Sequence, residues 1–494
     1  MTIVSTRDAW KCSHSSPVGR AVLCYLLWMS WLVIPGRSQD DPSPEDWKSQ
    51  FQKQEERLQQ LEQEWAEYQE SLIAEAEKAS KKDSAKAADS TKEKESEKKD
   101  DKKKDDKKKA WYEKLTLRGY AQVRINHIAD LRDGSFPAQL PADASVANNQ
   151  SFLIRRARLI VSGDVNEHLG VYMQPEFAAR IQGAADSNDY AQIRDWYGDL
   201  YLDTGKVHRI RVGQSKIPYG WENLQSSSNR IPLDRSDSLN TALRNERDLG
   251  VLYYWTPEYA QDFFKYALDE GLKGSGNYGV FGIGFYNGQG GSFNEQNDNA
   301  HFVTRLTLPG ILSNGQRYEF SAQAYTGNYV VLTSPIAPLG SGAAVSPTSP
   351  SNGVLDQRVA FSTVYYPQPF GFQSEWNVGR GPALNDAQTA IEERSVQGGY
   401  AQVMVQIKNH YGTWFPFMRY NYYQGGYKWE RNAPWTQISD WEIGTEWQIR
   451  PAVELTAMWT WSDRTNTSAR SQVDTLSYGQ FEGNLARFQF QFTY

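Results

Sequence analysis

From residue 115 onward, apolar and polar residues alternate in runs of about ten, and this period of two limits the possible folds more than any other feature of the chain. The first run sets Leu115, Leu117, Ala121, Val123 and Ile125 against Thr116, Arg118, Gln122, Arg124 and Asn126. Another places Tyr318, Phe320, Ala322 and Ala324 opposite Arg317, Glu319, Ser321 and Gln323. Two more oppose Trp441, Ile443, Thr445 and Trp447 to Asp440, Glu442, Glu446 and Gln448, then Val453, Leu455, Ala457, Trp459 and Trp461 to Glu454, Thr456, Thr460 and Ser462. Successive side chains of a strand point to opposite faces, so each run is a strand with one apolar and one polar face. A soluble sandwich alternates as well. Runs of about ten residues are long for a sandwich and right for a strand tilted across a bilayer.

The connections sharpen this. Short turns (Gly163 to Glu167, Asp203 to Lys206, Pro309 to Gly315, Pro367 to Pro369, Lys408 to Gly412, Ile449 to Pro451) interleave with longer loops (Ala129 to Gln150, Lys216 to Arg247, Asn328 to Leu355, Arg380 to Arg394, Gln424 to Gln437, Asp463 to Glu482). Lipid offers no partner to a free sheet edge, so such strands must close on themselves. The pattern predicts an all-β fold, a 16-stranded antiparallel transmembrane β-barrel over residues 111–494. One stretch departs from it: Thr256 to Gly276 fills the place of a short turn and looks helical at Asp262 to Glu270. In the last run Leu485, Phe488, Phe490, Phe492 and Tyr494 alternate with Arg487, Gln489, Gln491 and Thr493, resembling the strand read by the outer-membrane assembly machinery. That machinery and outer-membrane lipid are therefore expected partners. The 17 Trp and 28 Tyr fit aromatic girdles at the two interfaces.

Ahead of the barrel the composition changes twice. Arg7, Lys11 and Arg20 precede an apolar run from Ala21 to Ile34, with Gly36 and Ser38 as small residues before a cleavage point, so 1–38 reads as a signal peptide. Both cysteines, Cys12 and Cys24, fall inside it, which leaves no thiol chemistry afterwards. Over 39–80, Trp47, Phe51, Leu58, Leu61, Trp65, Tyr68 and Leu72 recur at steps of three and four, with polar Gln54 at one core position. This heptad seam predicts an N-terminal α-helical coiled coil in the periplasm; a lone amphipathic helix is the alternative. Residues 81–110, rich in Lys, Asp, Glu, Ser and Ala, read as a charged, solvated linker. Its acids dilute the Lys102 to Lys109 run, so a nucleic-acid partner is not expected, and contact with an anionic cell-wall polymer is a weaker alternative.

Arg155-Arg156-Ala157-Arg158-Leu159 with Gly163, Val212-Gly213-Gln214-Ser215-Lys216-Ile217-Pro218-Tyr219-Gly220, Asp234-Arg235-Ser236, Asn287-Gly288 and Gly444-Thr445-Glu446-Trp447 through Arg450-Pro451 to Leu455 occur in order and at barrel spacing. Together they resemble the phosphate-selective porin O and P family over residues 112–494. The resemblance implies a homotrimer of sixteen-stranded barrels, with the third long loop folded inward to narrow each pore. It also implies a passive aqueous channel in the cell outer membrane for small solutes, anions such as phosphate among them.

Residues 110–494 hold 25 Arg, 7 Lys and 37 acids, a net charge of −5, so placement rather than net charge must make any anion path. By alternation Arg118, Arg124, Arg156, Arg158, Arg317 and Arg487 face the lumen, and the third loop adds Lys216, Arg230, Arg235, Arg244 and Arg247. Guanidinium forks suit the relay of an oxyanion. The alternative is a cross-lumen lattice of ion pairs with Glu176, Asp199, Glu319 and Glu442 that stiffens the wall without selecting anything. The seven lysines do not reproduce the lysine-rich constriction of phosphate-selective members, so phosphate itself rests on the resemblance. Covalent chemistry is not expected: His127, His168, His208, His301 and His410 stand apart from one another and from any Gly-x-Ser-x-Gly word, and neither cofactor nor metal is implied. A rival reading is a barrel-anchored tether between outer membrane and cell wall, with a general non-selective pore.

Overall fold

The computed structural model describes residues 110–131, 152–178, 191–336, 343–466 and 479–494. The expected signal peptide, the coiled coil and all of the linker but Ala110 lie outside the described residues. Two units divide the chain, Met1–Asp106 and Lys107–Tyr494, and the second is a closed antiparallel barrel.

Its strands are β1 (Thr116–Leu131), β2 (Leu153–Asn166), β3 (Leu169–Glu176), β4 (Gln192–Tyr201), β5 (His208–Lys216), β6 (Arg247–Trp255), β7 (Phe281–Tyr286) and β8 (His301–Ile311). They continue with β9 (Arg317–Tyr329), β10 (Val354–Tyr365), β11 (Phe370–Leu384), β12 in two pieces (Ile391–Val405 and Ile407–Asn409), β13 (Gly412–Gly426), β14 (Trp435–Arg450), β15 (Val453–Asn466) and β16 (Gly479–Thr493). Both pieces of β12 pair with β13, so they form one stave and the barrel has sixteen, as the alternation predicts. Each strand pairs with its successor, and β16 returns to β1 with Phe492 opposite Ala121 and Phe488 opposite Ile125. At that seam Gly119 N–H donates to the Tyr494 carbonyl at 2.7 Å and Tyr494 N–H donates back at 2.9 Å. A Cβ at position 119 would run into the Tyr494 ring and the Arg158 carbonyl, which is why the seam has glycine there.

Side-chain parity holds around the wall. In β1 Gln122, Arg124 and Asn126 are buried inside, while Leu117 points outward; Trp441, Ile443, Trp461, Phe488, Phe490 and Phe492 form part of an exposed apolar belt. So continuous a belt of exposed aromatic and aliphatic residues is tolerated only against lipid. The described residues include no helix long and apolar enough to cross a membrane.

One rim carries tight turns. At the β4–β5 turn the Asp203 carboxylate accepts the Val207 and His208 N–H groups at 2.9 and 2.8 Å, and these bonds hold its carboxyl below the usual carboxylate range. The other rim carries the long connections. The expected loop Arg380 to Arg394 is shorter than the alternation implied, because β11 and β12 stay paired out to Leu384 and Ile391, beyond the apolar belt. The β6–β7 connection on the turn rim is the exception foreseen: it contains a twelve-residue helix, Glu258–Asp269.

Candidate functional site

The β5–β6 connection, residues 217–246, folds into the lumen, and nearly all of it is buried. The segment mixes apolar side chains with polar ones, and the inward wall is apolar where they meet. Ile231 and Leu233 pack with Met404, Phe415, Phe417 and Met458, while Ile217, Tyr219, Ala242 and Leu243 pack with Leu252, Tyr254, Tyr286, Val303 and Tyr325. Two single-turn helices, α1 (Trp221–Leu224) and α2 (Asp237–Asn240), shape the segment.

Polar ties then reach distant staves. The first N–H groups of α1 have no partner within the helix, and the Glu375 carboxylate of β11 supplies one, accepting from Trp221 at 2.5 Å and Glu222 at 3.1 Å. Glu222 itself pairs with Arg419 of β13 at 2.7 Å. Ser227 meets Tyr120 and Arg158, and the Arg358 guanidinium donates to Thr241 Oγ1 at 2.8 Å. Asp237 accepts from Tyr427 and pairs with Arg464 of β15. Asp234 lies between Arg124 and Arg487 at 3.3 and 2.6 Å.

The lumen is therefore a lattice of ion pairs, and all four acids expected to join one do so: Glu176 with Arg158, Asp199 with Arg211, Glu319 with Arg305 at 3.8 Å, and Glu442 with Arg419. The sequence-predicted cations fall into three groups. Arg124, Arg156, Arg158, Arg230 and Arg487 converge where the inserted loop meets the β16–β1–β2 wall: Arg124 and Arg230 both donate to the Leu233 carbonyl, Arg124 and Arg487 both pair with Asp234, Arg158 donates to Ser227, and Arg156 donates to Gln122, which in turn donates to the Ser227 carbonyl. Arg235 and Arg247 share Glu246, with Asp195 also on Arg247; Lys216 lies buried beside the inserted loop, its ammonium on the Leu224 and Gln225 carbonyls at 2.8 Å. The rest lie elsewhere: Arg118 is exposed, Arg317 stacks 3.4 Å over the Tyr266 ring at the turn rim, and Arg244 stacks over Phe293.

Two members of the first group form no ion pair among the described residues. Arg156 donates to Gln122 Oε1 at 2.7 Å and Arg230 donates to the Pro232 and Leu233 carbonyls at 3.0 Å; neither pairs with a carboxylate among the described residues. Arg156 Nε and Arg230 Nη1 are buried without a hydrogen-bond partner. A bulge contributes to this crowding: Arg156 faces Gln122 and Ile154 faces Val123, leaving Arg155 as the extra residue between them. The full counter-charge lattice, including Arg211, Arg305, Arg358, Arg419, Arg464, Lys273 and Lys428, is larger than the one sequence reasoning assembled. Parity was the available signal for Arg305, Arg419 and Arg464. Lys273 lies on no strand and had none. His301 begins β8 and is fully buried, its ring on the Asn328 carbonyl. The described residues contain no His, Cys, Asp and Glu group able to hold a metal ion.

A sequence model of the phosphate-selective porin O and P family matches residues 130–494. No curated protein matches the chain. Solved structures of similar fold include OmpT, an outer membrane protein of Vibrio cholerae, at 10% identity, covering 77% of this chain and 97% of that one with a TM-score of 0.45. The outer membrane channel DcaP of Acinetobacter baumannii is 12% identical, with 77% and 97% covered and a TM-score of 0.44. An anion-selective porin from Comamonas acidovorans is 10% identical, with 77% and 99% covered and a TM-score of 0.42.

Proposed function

This chain belongs to the phosphate-selective porin O and P family, and from that premise we propose that its barrel, an outer-membrane channel, is a passive diffusion pathway that prefers small anions, phosphate among them. The observation that carries the preference is the pair Arg156 and Arg230, buried cations with unused donors and no ion pair among the described residues, set against a lumen in which many other charges are paired. An oxyanion passing between the inserted loop and β2 gains charge-assisted hydrogen bonds that a cation does not. Selectivity then comes from buried cations that stand outside the ion-pair lattice, despite a net negative barrel. Planar-bilayer recordings in chloride, phosphate and potassium-salt gradients test it. A stable open pore with reversal potentials on the anion side is expected; cation preference would overturn the anion reading, and absence of any pore would overturn the channel.

The remaining parts of the proposal rest on sequence pattern and family. The chain assembles as a homotrimer, is inserted by the outer-membrane assembly machinery through the strand ending at Tyr494, and carries a cleaved signal peptide at 1–38, a periplasmic coiled coil at 39–80 and a solvated linker at 81–110. The heptad seam also supports the second reading, a tether between membrane and cell wall built on a non-selective pore.

A further inference from the structure

The β6–β7 connection is the one turn-rim segment that the channel reading leaves without a role. Pro257 and Glu258 open its helix, α3 (Glu258–Asp269), and Ala260, Phe263, Phe264 and Ala267 form one apolar stripe along it. The stripe packs against Trp221 of the inserted loop, together with Leu272, Val280, Val364 and Tyr366. The helix ends where Gly271 adopts φ +65°, and Leu272 to Ser275 are buried. Beyond the helix the Lys273 carbonyl accepts from Gln225 Nε2 at 2.6 Å and the Gly274 carbonyl from Asn229 Nδ2 at 2.7 Å, both donors on the inserted loop. The Lys273 ammonium pairs with Glu446 of β14 and stands 4.8 Å from the centre of the Phe415 ring of β13. Counting staves, β14 lies seven from β7 and eight from β6, so a segment rooted on one wall is fastened to the opposite one.

We propose that residues 256–280 form a strap across the lumen from the turn side, which seats the inserted loop from below and narrows the channel through the Lys273–Glu446 latch. Two connections entering from opposite rims then bound the pathway, and Lys273 is a positioning residue for both. Its ammonium and the Glu446 carboxylate are each about as buried as core side chains, 3% and 2% exposed, so removing either charge leaves the other without its ion-pair partner, Glu446 keeping only the Gln448 amide at 2.9 Å, and favours release of the strap.

The proposal rests on the channel reading, and the test separates the two. The full chain is recorded in planar bilayers as the parent, Lys273→Gln, Glu446→Gln, and the exchange Lys273→Glu with Glu446→Lys. Each single variant is expected to raise open-channel conductance roughly twofold, because flow follows the width of the constriction. The exchange is expected to return conductance to the parental level, which also guards against a single variant that fails to fold. A conducting parent with unchanged single variants, or an exchange that folds and conducts like the single variants, overturns the strap alone. A parent without a pore overturns the channel reading and the strap with it.

Discussion

Arg156 and Arg118 are both arginines on wall strands, and alternation assigns both to the lumen. The structure separates them by environment: Arg118 is exposed, whereas Arg156 is buried among other guanidiniums with a donor unused. Parity fixes which face a side chain takes; it says nothing about whether an acid on a distant stave or an inserted loop reaches it. That limit is why Arg156 and Arg230, which form no ion pair among the described residues, could not be told apart from Arg158 or Arg487, which meet Glu176 and Asp234. The distinction has a measurable consequence. A unit charge about 4 Å from the ion path favours an anion and disfavours a cation by about 1 kcal/mol each even at the dielectric of water, so Arg156→Gln or Arg230→Gln should lower the anion-to-cation permeability ratio roughly thirtyfold. Arg118→Gln should leave reversal potentials near the parental value, since bulk solvent screens its charge. Equal effects at all three positions would mean that Arg156 and Arg230 have no special part in selection.

Among the elements, strands were more legible than insertions. A strand writes its exposure into every second residue, so the runs at 317–324 and 440–448 gave both location and face. The helical look at Asp262 to Glu270 located α3, but its destination depends on contacts with Trp221 and Glu446, residues far away in the chain. Likewise, the third loop's inward course came from family resemblance; its physical basis is the match between its apolar residues and apolar patches on the inward wall, with buried charges fastening the ends. Arg419 is the strongest of these fastenings, because one guanidinium donates to Glu222 on the loop at 2.7 Å and to Glu442 on the wall at 2.6 Å. Replacing it by Met preserves much of the packing but leaves two buried carboxylates without their cation. The expected cost is about 3–5 kcal/mol of stability, read as a lower denaturant midpoint, together with noisier open-channel current as the loop loosens. A quiet channel with parental stability would show that the apolar contacts hold the loop unaided.

At the scale of the whole molecule, the decisive property is closure. Strand β1 is paired on one side with β2 and on the other with β16, so the ladder has no open edge. In hydrocarbon an unpaired edge would cost several kcal/mol per unsatisfied group, which makes this closure the condition for the barrel to exist at all. The inserted loop and the strap likewise find their partners among residues after 110, so the constriction is built from the same part of the chain as the wall. It follows that the two readings of the N-terminal segment make different demands on it. A channel needs nothing from residues 40–109 to conduct, whereas a tether depends on them. A chain lacking Asp40 to Lys109, with residues 1–39 retained, should therefore insert in the outer membrane and give parental single-channel conductance and reversal potentials. Any loss of envelope integrity in cells carrying that deletion would then report a tethering role separable from transport. Loss of conduction itself, with the truncated barrel present and heat-stable in the membrane, would show that the N-terminal segment takes part in the pathway and that the barrel alone is not the channel.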